Sequence, residues 1–308
     1  MTMSSAHSQT LYSSSPESFD CKQGAIRAAR LNVDGNYCIT CGADKSIKLW
    51  NPYRQLLLKT YAGHGFEVLD ARGSFDSSQI ASGSADKTVM LWDVGSGKAL
   101  RKLRGHMGKV NCVCFNEEST VVLSGSLDCT VKVWDLKSQK QEPVQTLDEA
   151  KDQVMSIVAT NYEILTGSLD GRIRRYDLRA GKLHQDYIGK SVTSVCFTND
   201  SQGILLGTME SAVMLMDKDN GEMLGEYVGH KSADYRCDAG LNAKDTHVLS
   251  GSEDGQVYCW DLITGQIVQK LDHGLGETVI TCVAHHPKDG SFISTAKNKL
   301  FIWKAVDT

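Results

Sequence analysis

A histidine, a serine and an aspartate able to do nucleophilic chemistry occur together at His64, Ser82 and Asp86. A serine hydroxyl attacks only when an imidazole takes its proton and a carboxylate orients that imidazole, so the trio has the composition of a hydrolase site. The same trio returns at His106, Ser124 and Asp128, and again at His230, Ser250 and Asp254. Three sets in register point to a repeated structural part, because function has to be argued from a site rather than from a fold.

Ten cysteines offer a second kind of chemistry. Cys38-Ile-Thr-Cys41 has the CxxC spacing of a zinc site, yet it falls where a strand is expected. Residues three apart on a strand face opposite ways, so one ion could not take both thiols. No second CxxC follows, and Cys112 and Cys114 form only CxC. The thiols read as small apolar side chains in a reducing compartment, and neither metal nor cofactor is expected.

What positions these residues is a repeat. The phrase "SGSADKTVMLWD", Ser82 to Asp93, returns 42 residues later as "SGSLDCTVKVWD". Anchors at Trp50, Trp92, Trp134, Tyr176, Met216, Trp260 and Trp303 are spaced by 42, 42, 42, 40, 44 and 43 residues. Six residues before them stand Asp44, Asp86, Asp128, Asp170, Glu210, Asp254 and, breaking the rule, Lys297. "KTVMLWD" and "CTVKVWD" are rich in β-branched and aromatic residues, and both faces of each are largely apolar. Such strands are buried on two sides, as in a blade between two neighbours.

A period of about 40–45 residues, with Gly-His early and Trp-Asp late, resembles the WD-repeat β-propeller, four strands to a blade. Gly63-His64, Gly105-His106 and Gly229-His230 supply the early pair. Seven repeats over residues 21 to 308 imply an all-β, seven-bladed ring, so a length of 308 residues does not mean two domains. In that family the loop His, a Ser or Thr, the turn Asp and the Trp form a hydrogen-bonded chain. His64–Ser82–Asp86–Trp92, His106–Ser124–Asp128–Trp134 and His230–Ser250–Asp254–Trp260 match it in full. The physics agrees: a buried carboxylate and indole N–H both need partners, and a connected network satisfies them. Blade 1 has Lys22 in the His position, blade 4 Asp148, blade 5 Lys190 with Leu206, and blade 7 His273 with Lys297. Blades 4, 5 and 7 should therefore be less rigid or held by other contacts, and blade 5 departs furthest.

The ring must also close. Little sequence follows Trp303, so the last blade needs a strand from elsewhere, and "ESFDCKQ", Glu17 to Gln23, is the candidate. Closure removes an open sheet edge. The first twenty residues are Ser-rich, without Lys or Arg or an apolar run, which argues against a secretory signal or transit peptide. Residues 1–16 read as a flexible tail and 17–308 as the propeller, so deleting 1–14 should be harmless and deleting 1–24 should not.

Composition narrows the function. A net charge of −4 and the absence of a basic stripe beyond "GRIRRYDLR" (Gly171–Arg179) argue against sequence-specific nucleic-acid binding. No apolar run reaches the ~18 residues of a membrane span. No phosphate loop or unrepeated catalytic set occurs, so enzyme activity is not expected. Binding could use the residues just before the turn acids. Blades 3, 4 and 5 present Leu127, Leu169 and Met209 there, an apolar arc followed by Glu253 in blade 6. Glu67, Lys109, Gln153, Tyr235 and Arg236, entering the innermost strands, would form its polar border. Tyr176-Asp177-Leu178-Arg179 is similar to the W-D-x-R box of cullin ubiquitin ligase substrate receptors, with Tyr for Trp and in one repeat alone.

Beyond the generic repeat, "LNVDGNYCITCGADKSIKLWNP", "YAGHGFEVLDARGSFD", "EPVQTLDEAKD" and "RRYDLRAGKL" resemble the mitogen-activated protein kinase organiser family, also described as WD-repeat spliceosome-associated proteins. That resemblance implies a scaffold for an extracellular-signal-regulated kinase cascade, associated with pre-mRNA splicing complexes and found in cytoplasm and nucleus. A constitutive structural role in a spliceosomal ribonucleoprotein is the alternative. Either way the expected partners are proteins, met by a monomeric propeller within larger complexes.

Overall fold

The computed structural model describes residues 11–138 and 140–306, and all their regular structure is β. Seven four-stranded antiparallel sheets stand around a central channel. In blade 2 the strands run Val68–Gly73, Gln79–Ser84, Thr88–Asp93 and Ala99–Arg104, each paired with the next, from the channel outward. Blade 7 alone breaks chain order. Outside Ile280–His285, Phe292–Ala296 and Lys299–Trp303 lies Glu17–Asp20, paired from Glu17↔Ile302 to Asp20↔Lys299. The closing strand read from the sequence is there, ending at Asp20.

The tail boundary needs correction. Residues 1–10 lie outside the described residues, but the segment from Leu11 is docked. Tyr12 is 3% exposed, its ring edge-on to Phe292 at a centroid distance of 4.8 Å. Gln269 Oε1 accepts the Leu11 and Tyr12 N–H groups at 3.1 and 3.0 Å, while Gln269 Nε2 donates to Tyr12 O at 2.8 Å. Tyr12 also bridges to Ala305. A single aromatic among serines found an apolar gap beside blade 7, and burying such a ring outweighs ordering a few residues.

The core is seven layers, one at each blade junction. Between blades 2 and 3, for instance, Val89, Leu91 and Leu103 meet Val110, Val113 and Trp134. These layers explain the glycine of "SGS". A β-carbon at Gly83 would sit 2.6 Å from Val110 Cγ1, and at Gly125 2.7 Å from Val154 Cγ1. The next blade's inner strand packs where that side chain would be.

The inner strands carry a second device. Blades 1–5 and 7 each have a register shift at the first step of this strand, as between Val68 and Asp70. The residue after the shift reaches the neighbouring blade in four cases. Asp70 Oδ2 accepts from Val113 N (3.1 Å), Ser156 Oγ from Val195 N, Ser194 Oγ from Ala239 N (both 3.2 Å), and Cys282 Sγ from Ala29 N (3.3 Å).

Candidate functional site

The tetrads of blades 2 and 3 form. His64 Nε2 is 2.8 Å from Ser82 Oγ, His64 Nδ1 is 3.0 Å from Asp86 Oδ2, and Trp92 Nε1 donates to Ser82 Oγ at 2.9 Å. In blade 3 the matching distances for His106, Ser124, Asp128 and Trp134 are 2.8, 2.9 and 2.8 Å. Burial pushes the Asp86 carboxyl up. Hydrogen bonds from His64, Thr88 and Gly65 N–H outweigh it, holding Asp86 far below the usual range, and Asp128 follows in the same way. Ser82 and Ser124 are wholly buried, so no substrate reaches either hydroxyl.

The third tetrad, His230–Ser250–Asp254–Trp260, does not form, which corrects the sequence reading. Trp260 Nε1 donates to Val228 O at 3.0 Å, Ser250 Oγ to Gly251 O at 3.0 Å, and the buried His230 Nδ1 has no partner among the described residues. Tyr258 is the cause. Its hydroxyl donates to Asp254 Oδ2 at 2.8 Å, taking the histidine's acceptor, and its ring stacks on Trp260 at 5.7 Å.

The other blades use substitutes that the sequence did not announce. In blade 4 the buried Arg174 donates to Asp170 Oδ2 (2.6 Å) and Ser168 Oγ (2.7 Å). Like Tyr258, it stands two residues before the anchor, on the anchor's face of the strand. Blade 1 uses Gln23 rather than Lys22: Thr40 Oγ1 donates to Gln23 Oε1, and Trp50 Nε1 donates to Thr40 Oγ1 at 2.9 Å. Blade 7 keeps a chain of three, with His273 Nε2 2.7 Å from Ser294 Oγ and Trp303 Nε1 donating to it at 2.8 Å. Gly255 O, 3.0 Å from His273 Nδ1, replaces the carboxylate. Blade 5 is apolar here, with Leu206, Met214 and Met216 buried together.

The binding candidates divide. Glu67, Lys109, Leu127, Gln153, Tyr235 and Arg236 line one funnel of about 360 Å³ at the channel mouth. Leu127 is 44% exposed and Tyr235 53%. Glu67 is ion-paired to Arg27 at 2.8 Å, and Arg236 Nη1 crosses to Asn111 O at 3.2 Å. Leu169 and Met209 are half-buried and do not line the funnel. Glu253 belongs to the scaffold, a correction. It is 8% exposed, and its Oε1 accepts the N–H groups of Ala233, Asp234 and Tyr235 at 2.7, 2.7 and 2.9 Å.

Two exposed apolar residues missed in the sequence lie in the loops that lead to the funnel-lining Glu67 and Lys109. Met107, 79% exposed, and Phe66, 62% exposed, follow the buried histidines of blades 3 and 2. A β-carbon at Gly108 would come within 2.9 Å of Leu127 Cβ, so the loop that carries Met107 packs against the Leu127 turn. The signal was a large apolar residue just after a loop histidine. On the other face Arg179 lies over the Tyr162 ring, 3.4 Å from its centroid. Cys38 and Cys41 are buried free thiols, and among the described residues no three His, Cys, Asp or Glu side chains cluster for a metal. Among the described residues no helix is long and apolar enough to cross a membrane.

With this geometry in place, comparison with known proteins is direct. The family model "WD domain, G-beta repeat" matches residues 5–51, 55–93, 97–135 and 221–261, ending just after the anchors of blades 1, 2, 3 and 6. WD repeat domain-containing protein 83 of Homo sapiens is 54% identical over 288 residues, covering 94% of this chain and 91% of that protein. The protein of the same description from Danio rerio is 59% identical over 286 residues, 93% of this chain and 90% of its own. A homologue from Dictyostelium discoideum is 33% identical over 113 residues, 36% of this chain and 34% of its own.

Proposed function

This chain belongs to the WD repeat domain-containing protein 83 family, a family of WD-repeat propellers, and from that premise we propose that it holds several proteins together without chemistry of its own. The scaffold's clients are components of an extracellular-signal-regulated kinase cascade, and it associates with pre-mRNA splicing complexes, in the cytoplasm with a nuclear pool. Identity above one half along nine-tenths of the chain supports the protein-interaction role of the family, and the phrase-level resemblance in the sequence is what suggests these clients. A rigid disc with two faces raises the effective concentration of co-bound clients, which speeds their encounter without a catalytic group. The observation that carries a binding role is the funnel mouth, where Leu127 and Tyr235 stand exposed beside Lys109 and Arg236, with exposed Met107 two residues ahead of Lys109. An apolar centre with a polar border is the anatomy of a protein interface.

Affinity purification from cytoplasmic and nuclear fractions, with and without nuclease, tests the proposal. The wild-type protein should retain kinase-cascade proteins after nuclease treatment, and Met107→Asp with Leu127→Asp should lose at least one client at an unchanged melting temperature. Clients identical in both proteins would remove the funnel from the account. Complexes that dissolve wholly under nuclease would favour the ribonucleoprotein role.

A further inference from the structure

Next to the funnel lies a chamber of about 550 Å³ whose wall holds Arg30, Arg72, Arg236 and Asp238. The surrounding charges do not balance. Arg30 is held between Asp238 at 2.8 Å and Asp70 at 3.5 Å, and Arg236 pairs with Asp238 at 3.3 Å. Asp238 is thereby hydrogen-bonded on both oxygens, while Asp70 Oδ2 accepts from Val113 N and Asp70 Oδ1 has only the 3.5 Å ion pair to Arg30, with no hydrogen bond among the described residues. Arg72 is left over. Its nearest carboxylate oxygen is 4.0 Å away, beyond hydrogen bonding, and its buried Nε has no partner among the described residues. The side chain is walled in by the blades yet 36% open to channel solvent. Burial, and then the neighbouring Arg30 charge, press the Arg72 guanidinium downward from its ordinary range. Three guanidiniums against two carboxylates leave an unmatched cation inside a protein whose net charge is −4.

The hydroxyls on the same wall point the same way. Ser156 and Ser194 each accept a backbone N–H from the next blade, which occupies a lone pair and leaves the hydroxyl proton free to be given. A chamber with surplus donors and surplus positive charge calls for a ligand that is acceptor-rich and anionic. A guanidinium fork matches a phosphate in two parallel bonds, which are stronger than neutral ones.

We propose that this chamber is a binding site for a small phosphate-bearing solute, its phosphate gripped by Arg72 and its body lying toward the mouth at Val33. The volume is in the range that holds ligands of metabolite size. The site adjoins the funnel, the two sharing Arg236, while Arg72 and Val33 belong to the chamber and not to the funnel.

Calorimetric titration of the full chain with inorganic phosphate and with pyrophosphate, at constant ionic strength set by chloride, tests it. The wild-type protein should show one saturable site, with pyrophosphate the tighter ligand. Arg72→Gln should weaken both by about tenfold or more, the loss of a charge-assisted bond pair. Its melting temperature in chloride should be equal or higher, because an uncompensated cation beside Arg30 is removed. Phosphate should raise the melting temperature of the wild type and not of the variant. Val33→Glu, which adds a repelling charge at the exposed mouth without touching an arginine, should also weaken binding. Heats that never saturate, or isotherms unchanged in Arg72→Gln or in a folded Val33→Glu, would overturn the proposal.

Discussion

His230 and His273 show what a buried imidazole does when no carboxylate holds it. Burial lowers each to about 4, against an ordinary value of 6.5, and Asp254 only partly opposes this at His230. An unfolded chain therefore binds more protons than the folded one between about pH 6.5 and 4. Stability falls as pH drops through that window, by roughly 3 kcal/mol for each histidine. Below it the turn carboxylates take over: Asp86 and Asp128, held low in the fold, lose their contribution as acid protonates them. His230→Phe should flatten the decline of melting temperature between pH 6.5 and 4, because its ring gives up no hydrogen bond. A profile parallel to that of the wild type would refute this assignment. The same residue marks where sequence reading stopped. Residue types identical to those of blades 2 and 3 built nothing similar in blade 6, because the side chain two before the anchor decides the outcome. Met90 cannot compete for the turn carboxylate, whereas the Tyr258 hydroxyl reaches Asp254 and the Arg174 guanidinium reaches Asp170.

At the scale of the strand, the repeat carried most of the fold. Strand count, blade count and both-face burial followed from the period, since every blade must present equivalent surfaces to equivalent neighbours. The glycine of "SGS" is the sharpest case and supports a paired experiment. In Gly125→Ala the new β-carbon meets Val154 Cγ1 at 2.7 Å and Cys112 Sγ at 2.8 Å, so blade 4 must shift. Chemical denaturation should show a loss of about 1–3 kcal/mol, the usual result of overfilling a packed layer. Gly73→Ala, with nothing within 4 Å, should stay within about 0.5 kcal/mol. Equal losses would mean that the close approach of inner strands is not what selects glycine. What the period hid lies on the channel side of the inner strands. The slots recur but their side chains do not: Asp70 stands where blades 4, 5 and 7 have Ser156, Ser194 and Cys282, so the period does not disclose the charges. The available signal was charge inside short β segments such as "IRAARL" and "VLDARG".

For the molecule as a whole, stability depends on the junction that joins its two ends. Glu17–Asp20 supplies the outer strand of blade 7, and Tyr12 and Gln269 fasten it from outside. Deleting residues 1–14 should therefore lower the melting temperature, the reverse of what a Ser-rich composition implies. Differential scanning calorimetry decides: an unchanged midpoint would return Tyr12 to the status of a passive tail. Composition misled here because one buried aromatic outweighs several polar neighbours that remain in water.

The pairing of Asp20 with Lys299 also sets a timetable. Those partners are about 280 residues apart, and at ~5–20 residues per second a ribosome needs roughly 15 to 55 s between making one and making the other. Through that interval the nascent chain carries an unclaimed strand at its head and a growing stack of half-covered wedges behind it. Such intermediates are the ones chaperones attend, and the emergence of the blade 7 strands converts an adhesive ribbon into a sealed wheel.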